Sequence, residues 1–125
     1  MELNEASGII VDAAMKVHTI LGPGLLESAY EACLKYELTQ RGLAVASQAA
    51  LPVCYGHVVI EAGYKLDLLV EDSVVIELKA VEQLNALHQA QLLTYLKLSH
   101  KKLGLLINFN VPRLKLGIKR LVNNS

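Results

Sequence analysis

The 125-residue chain has no surplus of charge: twelve basic residues balance twelve acidic ones. Nucleic-acid binders usually carry a basic excess, so any such surface here must be a local patch. Cysteine is scarce. Cys33 and Cys54 lie far apart with no C-x-x-C spacing, which argues against a zinc site or a structural disulfide and leaves two reduced thiols. No stretch reads as a membrane span; the longest uncharged segment, Gly42 to Ile60, is interrupted by Gln48, Pro52, Gly56 and His57. The N-terminal M-E-L-N-E is acidic and lacks the signal-peptide pattern. There is no low-complexity run, charge block or internal repeat. What is abundant is apolar side chain, 53% of the residues, enough to build a core. The expectation is one domain over residues 1–125, cytoplasmic and not associated with a membrane.

Apolar spacing predicts three helices. The first runs from Leu3 to Leu21, with Ile9, Ile10, Ala13, Ala14, Val17, Ile20 and Leu21 as its stripe and Asn4 as N-cap. Gly22-Pro23-Gly24 stops it, because proline cannot continue the ladder and glycine supplies unusual dihedrals. The second spans Leu25 to Arg41 and ends at Gly42. The third spans Gln83 to Leu98, with Leu87, Gln91 and Tyr95 four apart on one face. On that reading Gln91 is a buried amide and needs a partner. Between the second and third helices the pattern shortens to strands: Ala44 to Ala46, Leu51 to Tyr55, a turn at Gly56-His57, then Val58 to Ile60. Pro52 suits an edge strand or a strand start. Leu103 to Phe109 is nearly continuous in apolar residues and reads as a buried central strand. The tail, Leu114 to Val122, reads as a final edge strand or a short helix. The fold class is α/β, a single mixed β-sheet with helices on both faces.

The stretch from Tyr64 to Ala80 organises the rest. It reads as two strands joined by a polar turn at Glu71-Asp72-Ser73. Pairing Val70 with Val74 sets Asp67 opposite Glu77 and Lys65 opposite Lys79. Leu66, Leu68, Val70, Val74, Ile76 and Leu78 then share one apolar face. Two carboxylates opposite each other, with Cβ atoms about 5 Å apart, repel. A bound cation turns that repulsion into a ligand set. Magnesium suits it, since it takes oxygen ligands and keeps several waters. Lys79, on the same face as Glu77, would sit beside an attacking water or a phosphate.

D…ExK on a hairpin, after an acid-bearing helix and before a helix and strand, resembles the PD-(D/E)XK nuclease superfamily. Gly24-Leu25-Leu26-Glu27-Ser28-Ala29-Tyr30 matches the signature of its GxxExxY branch. Gln91-Leu92-Leu93-Thr94-Tyr95 matches the QxxxY motif of the recombination-exonuclease branch. Leu66 stands where the motif's name has proline. The resemblance covers essentially the whole chain and implies a restriction-endonuclease-like core. It implies Asp67 and Glu77 as metal ligands and Lys79 as the catalytic lysine. Glu27 would be the helix acid that completes the metal shell, directly or through water. Gln91 would orient Lys79 or the water, and Tyr95 would contact substrate or support Gln91. Tyr30 reads as packing. The implied cofactor is Mg2+, with Mn2+ as substitute, and the implied partner is nucleic acid, DNA first.

Two other readings accompany the nuclease. A nuclease-derived module could hold nucleic acid or a protein without cleaving, which zero net charge favours and intact acids oppose. An exposed edge strand could pair with a second copy, and a homodimer is compatible with either activity. Lys65 and His88 read as surface residues. The basic residues near the C-terminus, Lys101, Lys102, Arg113, Lys115, Lys119 and Arg120, fit a phosphate-tracking patch or a solvated edge equally well.

Overall fold

The structure is a computed structural model and describes residues 1–124. Helix α1 (Leu3–Leu21) buries Ile10, Ala13, Ala14 and Val17 of the predicted stripe, whereas Ile20 and Leu21 at its end are exposed. Its N-cap is Glu2 rather than Asn4: the Glu2 carboxylate accepts from the Asn4 and Glu5 N–H groups. Asn4 thus falls inside the first turn, and its side-chain oxygen accepts from Arg120 instead.

Helix α2 (Glu27–Gln40) begins two residues later than the spacing predicts. The reason is Tyr30. Its hydroxyl accepts from Leu25 N–H at 3.0 Å and donates to the Gly22 carbonyl at 2.6 Å, which pins the segment before the helix. Its ring is fully buried and stacks on Phe109 at 4.4 Å and 9°. Gly24, at φ +101°, makes the bend that this clasp closes.

The strands follow as β1 (Val45–Ala50), β2 (Val53–Tyr55), β3 (Val58–Ile60), β4 (Lys65–Val70), β5 (Val74–Lys79), β6 (Leu103–Asn108) and β7 (Ile118–Val122). Five of them form one mixed sheet in the order β1-β4-β5-β6-β7, whereas β2 and β3 pair only with each other. Among the described residues only β5 and β6 pair in parallel, and α3 (Ala86–Ser99) makes the crossover that a parallel pair requires. The tail forms a 3₁₀ turn at Leu114–Gly117 and then edge strand β7. Every residue of β6 is buried, as its unbroken apolar run suggests.

The sheet separates two cores. On one face α1 and α2 cover Leu68, Val70, Val74, Ile76 and Leu78. On the other, α3 places Leu92, Tyr95 and Leu96 against Leu66, Val75 and Leu106. Helix α3 starts at Ala86, not Gln83, because Asn85 and His88 form a reciprocal cap: Asn85 Oδ1 accepts from His88 N–H, and His88 Nδ1 accepts from Asn85 N–H. No helix among the described residues is long and apolar enough to cross a membrane.

Candidate active site

Strands β4 and β5 pair in the register that the turn predicts, Val70 with Val74, Leu69 with Val75 and Leu68 with Ile76. The turn is held by Glu71, whose N–H donates to Ala44 O and whose carboxylate accepts from Ala44 N–H. The ladder then stops one pair short of Asp67 and Glu77. In its place Asp67 N–H donates to Glu77 Oε2 at 2.9 Å, and Leu78 N–H donates to Asp67 Oδ2 at 2.8 Å. Each carboxylate accepts from the backbone of the opposite strand, so the carboxylates stand where carbonyls would complete the ladder.

Asp67 is missing from the other ladder as well. Strand β1 pairs Ser47 with Leu68 and Ala49 with Leu66, but Gln48, at φ +52°, makes no pair with Asp67. This double interruption overturns the expected common face. Leu66 packs in the core beneath α3, while Leu68 packs beneath α1 and α2. The expected Lys65–Lys79 pair does not form either. Lys65 pairs with Ala50 and Lys79 with Asn108 of β6.

Glu77 is only 5% exposed. Burial, and next the Asp67 charge, push its carboxyl up to about 8, against the opposing pull of the Asp67 N–H and Lys79. Glu31 on α2 adds to the rise. The Glu31 carboxyl is itself raised, by burial and then by Asp67, although the Gln48 amide donates to it at 2.7 Å. Tyr95, nearly buried on α3, is raised by burial, by Glu77, by Tyr64 and by Asp67. Negative charge therefore converges on one spot, and Lys79 stands beside it.

A cavity of about 690 Å³ lies between the β2–β3 hairpin and α3; Lys79 lines it, whereas Asp67 and Glu77 do not. Lys79, Gln91 and Tyr95 share its wall.

The family model of the PD-(D/E)XK nuclease superfamily matches residues 4–121. The chain belongs to the PD-(D/E)XK nuclease superfamily. No match was found among curated proteins or among solved structures. The α/β architecture, a mixed five-stranded sheet flanked by helices, is consistent with the restriction-endonuclease-like fold of the superfamily. Its nucleases typically use divalent metals and act on nucleic acid.

The residues present suit such a metal. Among the described residues no three acidic, histidine or cysteine side chains converge tightly enough to cage an ion alone. Asp67 and Glu77 form a two-carboxylate set, the kind that holds magnesium when waters and substrate oxygens complete the shell. A cation there would offset both the burial and the Asp67 repulsion that raise Glu77.

Two expectations change. Glu27 is exposed in the first turn of α2, and the helix acid whose charge reaches both Asp67 and Glu77 is Glu31, one turn on. The sequence signature singles out Glu27 and not Glu31. The available signal was position: four residues further along the same helix face lies deeper against the sheet. Gln91 is not a buried amide. It is exposed on the cavity wall, and Leu87, one turn before it, is 75% exposed. Helix α3 turns its Leu92–Leu96 side to the sheet, which leaves the 87–91 side to the cavity.

Asn108 was missed altogether. It is 1% exposed, pairs with Lys79 across β5 and β6, and ties down the segment that follows Lys79. Its signal was a polar residue at the end of an unbroken apolar strand.

Proposed function

We propose that the protein is a metal-dependent nuclease that hydrolyses phosphodiester bonds of nucleic acid, DNA first. The observation that carries this reading is the pairing of half-buried Asp67 with buried Glu77, each carboxylate held by the opposite strand, with Lys79 two residues beyond Glu77. A divalent cation, magnesium with manganese as substitute, would be held by Asp67 and Glu77 and would supply Lewis-acid activation of the water and the scissile phosphate.

The chain's own groups do the rest. The Lys79 ammonium, on the cavity wall beside Glu77, neutralises charge that develops on the phosphate oxygens. Gln91 is exposed to the cavity one turn before Tyr95, where its amide can orient Lys79 or the water. Tyr95 keeps its proton, since burial and the neighbouring acids raise its phenol, and so serves as a hydrogen-bond donor to a phosphate oxygen. Glu31 acts on the pair from α2, fixed by Gln48, and Glu27 extends the acidic edge toward solvent.

Cleavage of labelled DNA and RNA with Mg2+ or Mn2+ tests this. Wild-type protein cleaves, while Asp67→Asn and Lys79→Ala do not. Equal activity in those variants, or none in the wild type, overturns the reading and leaves a non-cleaving binding module on the same fold.

A further inference from the structure

The β2–β3 hairpin contributes no residue to either core. An isolated two-stranded hairpin is marginal in water, yet this one is apolar on both faces: Val58, Val59 and Ile60 are all exposed. What it does build is one wall of the 690 Å³ cavity. Tyr55, 80% exposed, stands on that wall. Tyr64, at the entry to β4, is half exposed, and its ring lies 6.2 Å from that of Tyr95 at 57°. The backbone behind Tyr64 is fixed, because its carbonyl accepts from Leu51 N–H.

The lining is rich in aromatic faces and poor in cations. Lys79 is the one lysine or arginine among the described residues that line the groove. Duplex binding depends on rows of phosphate contacts, and a duplex keeps its base faces in the stack. Unpaired bases are free to lie on aromatic rings, and such stacking carries single-strand binding. Lys79 lies on the groove wall and its charge acts on Glu77, so a strand whose phosphate reaches Lys79 enters the groove that Tyr55, Tyr64 and Tyr95 line.

We infer that the groove between the β2–β3 hairpin and α3 binds unpaired nucleotides, with their bases stacked on Tyr55 and Tyr64, and so makes single-stranded nucleic acid the substrate class. This rests on the reading of the Asp67–Glu77 pair as a nuclease centre. Tyr55→Leu and Tyr64→Leu test it, since each keeps apolar bulk and removes the π-face.

Fluorescence anisotropy with a dye-labelled single-stranded oligonucleotide, and with its duplex, is read in EDTA so that nothing is cut. The single strand binds more tightly than the duplex, and each variant loses about 5- to 150-fold in affinity for the single strand. The double variant loses more, with its melting temperature near that of the wild type. Duplex binding as tight as single-strand binding, or wild-type affinity in both tyrosine variants, overturns the inference. The nuclease reading is judged separately by cleavage. Tyrosine-dependent binding without cleavage keeps the groove and removes the nuclease. Cleavage indifferent to both tyrosines does the reverse.

Discussion

Asn108 grips Val81 by both ends of its backbone: Asn108 Nδ2 donates to Val81 O at 2.9 Å, and Asn108 Oδ1 accepts from Val81 N–H at 3.1 Å. The same Oδ1 accepts from Asn110 N–H at 3.2 Å. A residue at the end of β6 thereby sets the path of the chain two residues after Lys79. The side chain is buried, so nothing replaces these bonds when it is removed.

Asn108→Ala is expected to cost about 2–4 kcal/mol, since buried backbone groups lose their partners. Urea unfolding measures it. Asn108→Asp keeps the acceptor but loses the donor to Val81 and buries a charge, so it restores little. On the proposed nuclease function, Asn108→Ala is expected to cleave more slowly than wild type below its melting temperature, because the segment after Lys79 is no longer held.

On the proposed function, Glu77 would make stability and metal binding respond to pH in opposite directions. Its carboxyl sits at about 8 when folded, against an ordinary 4.5. Between those values the folded state holds a proton that the unfolded state has lost. Stability without metal is therefore full below pH 4.5, falls as pH rises, and has lost this contribution above about 8. Metal binding needs the ionised form, so apparent affinity for Mg2+ weakens about tenfold for each pH unit below the folded value. Thermal unfolding between pH 5 and 9, with EDTA and with Mg2+, should show the metal-dependent rise in Tm growing with pH. Glu77→Gln should flatten both trends, and a wild-type profile in that variant would assign the effect elsewhere.

Tyr30→Phe isolates the clasp on the loop before α2. The ring and its stack on Phe109 remain, while the bonds to Gly22 O and Leu25 N–H are lost. A loss of about 1–3 kcal/mol is expected in chemical denaturation. Tyr30→Leu also removes the stack and costs more.

Glu31 and Glu27 are separable by substitution. Glu31→Gln removes the acid whose charge reaches the Asp67–Glu77 pair, and metal affinity measured by calorimetry should drop about 10- to 100-fold, the usual effect of groups that support metal ligands. Glu27→Gln, at an exposed position, should change it less. The reverse order would make Glu27 the helix acid of the site.

The sequence by itself determined the elements whose causes are local. The stripe of α1 follows from residues three and four apart, and β6 from an unbroken apolar run. The β4–β5 register follows from the Glu71 to Ser73 turn, where Val70 meets Val74 as the pattern predicts. The packing of Tyr30 was legible too, though not the two bonds of its hydroxyl.

Only the tertiary structure decided the rest, because it depends on chain segments remote in sequence. The interruption at Asp67 requires Gln48 of β1 to leave one ladder while Glu77 of β5 replaces the other with its side chain. That interruption turns Leu66 away from Leu68 and gives the site its shape. That the charge of Glu31 reaches Asp67 and Glu77 while Glu27 stays exposed depends on how α2 lies on the sheet, and the outward turn of Gln91 on which side of α3 meets it. The separation of β2 and β3, which pair only with each other, from the main sheet is likewise a matter of long-range pairing, since β1 takes the later strand β4 as its neighbour. Spacing along a chain records which side chains share a face; which face meets which partner is set by the packing of the whole.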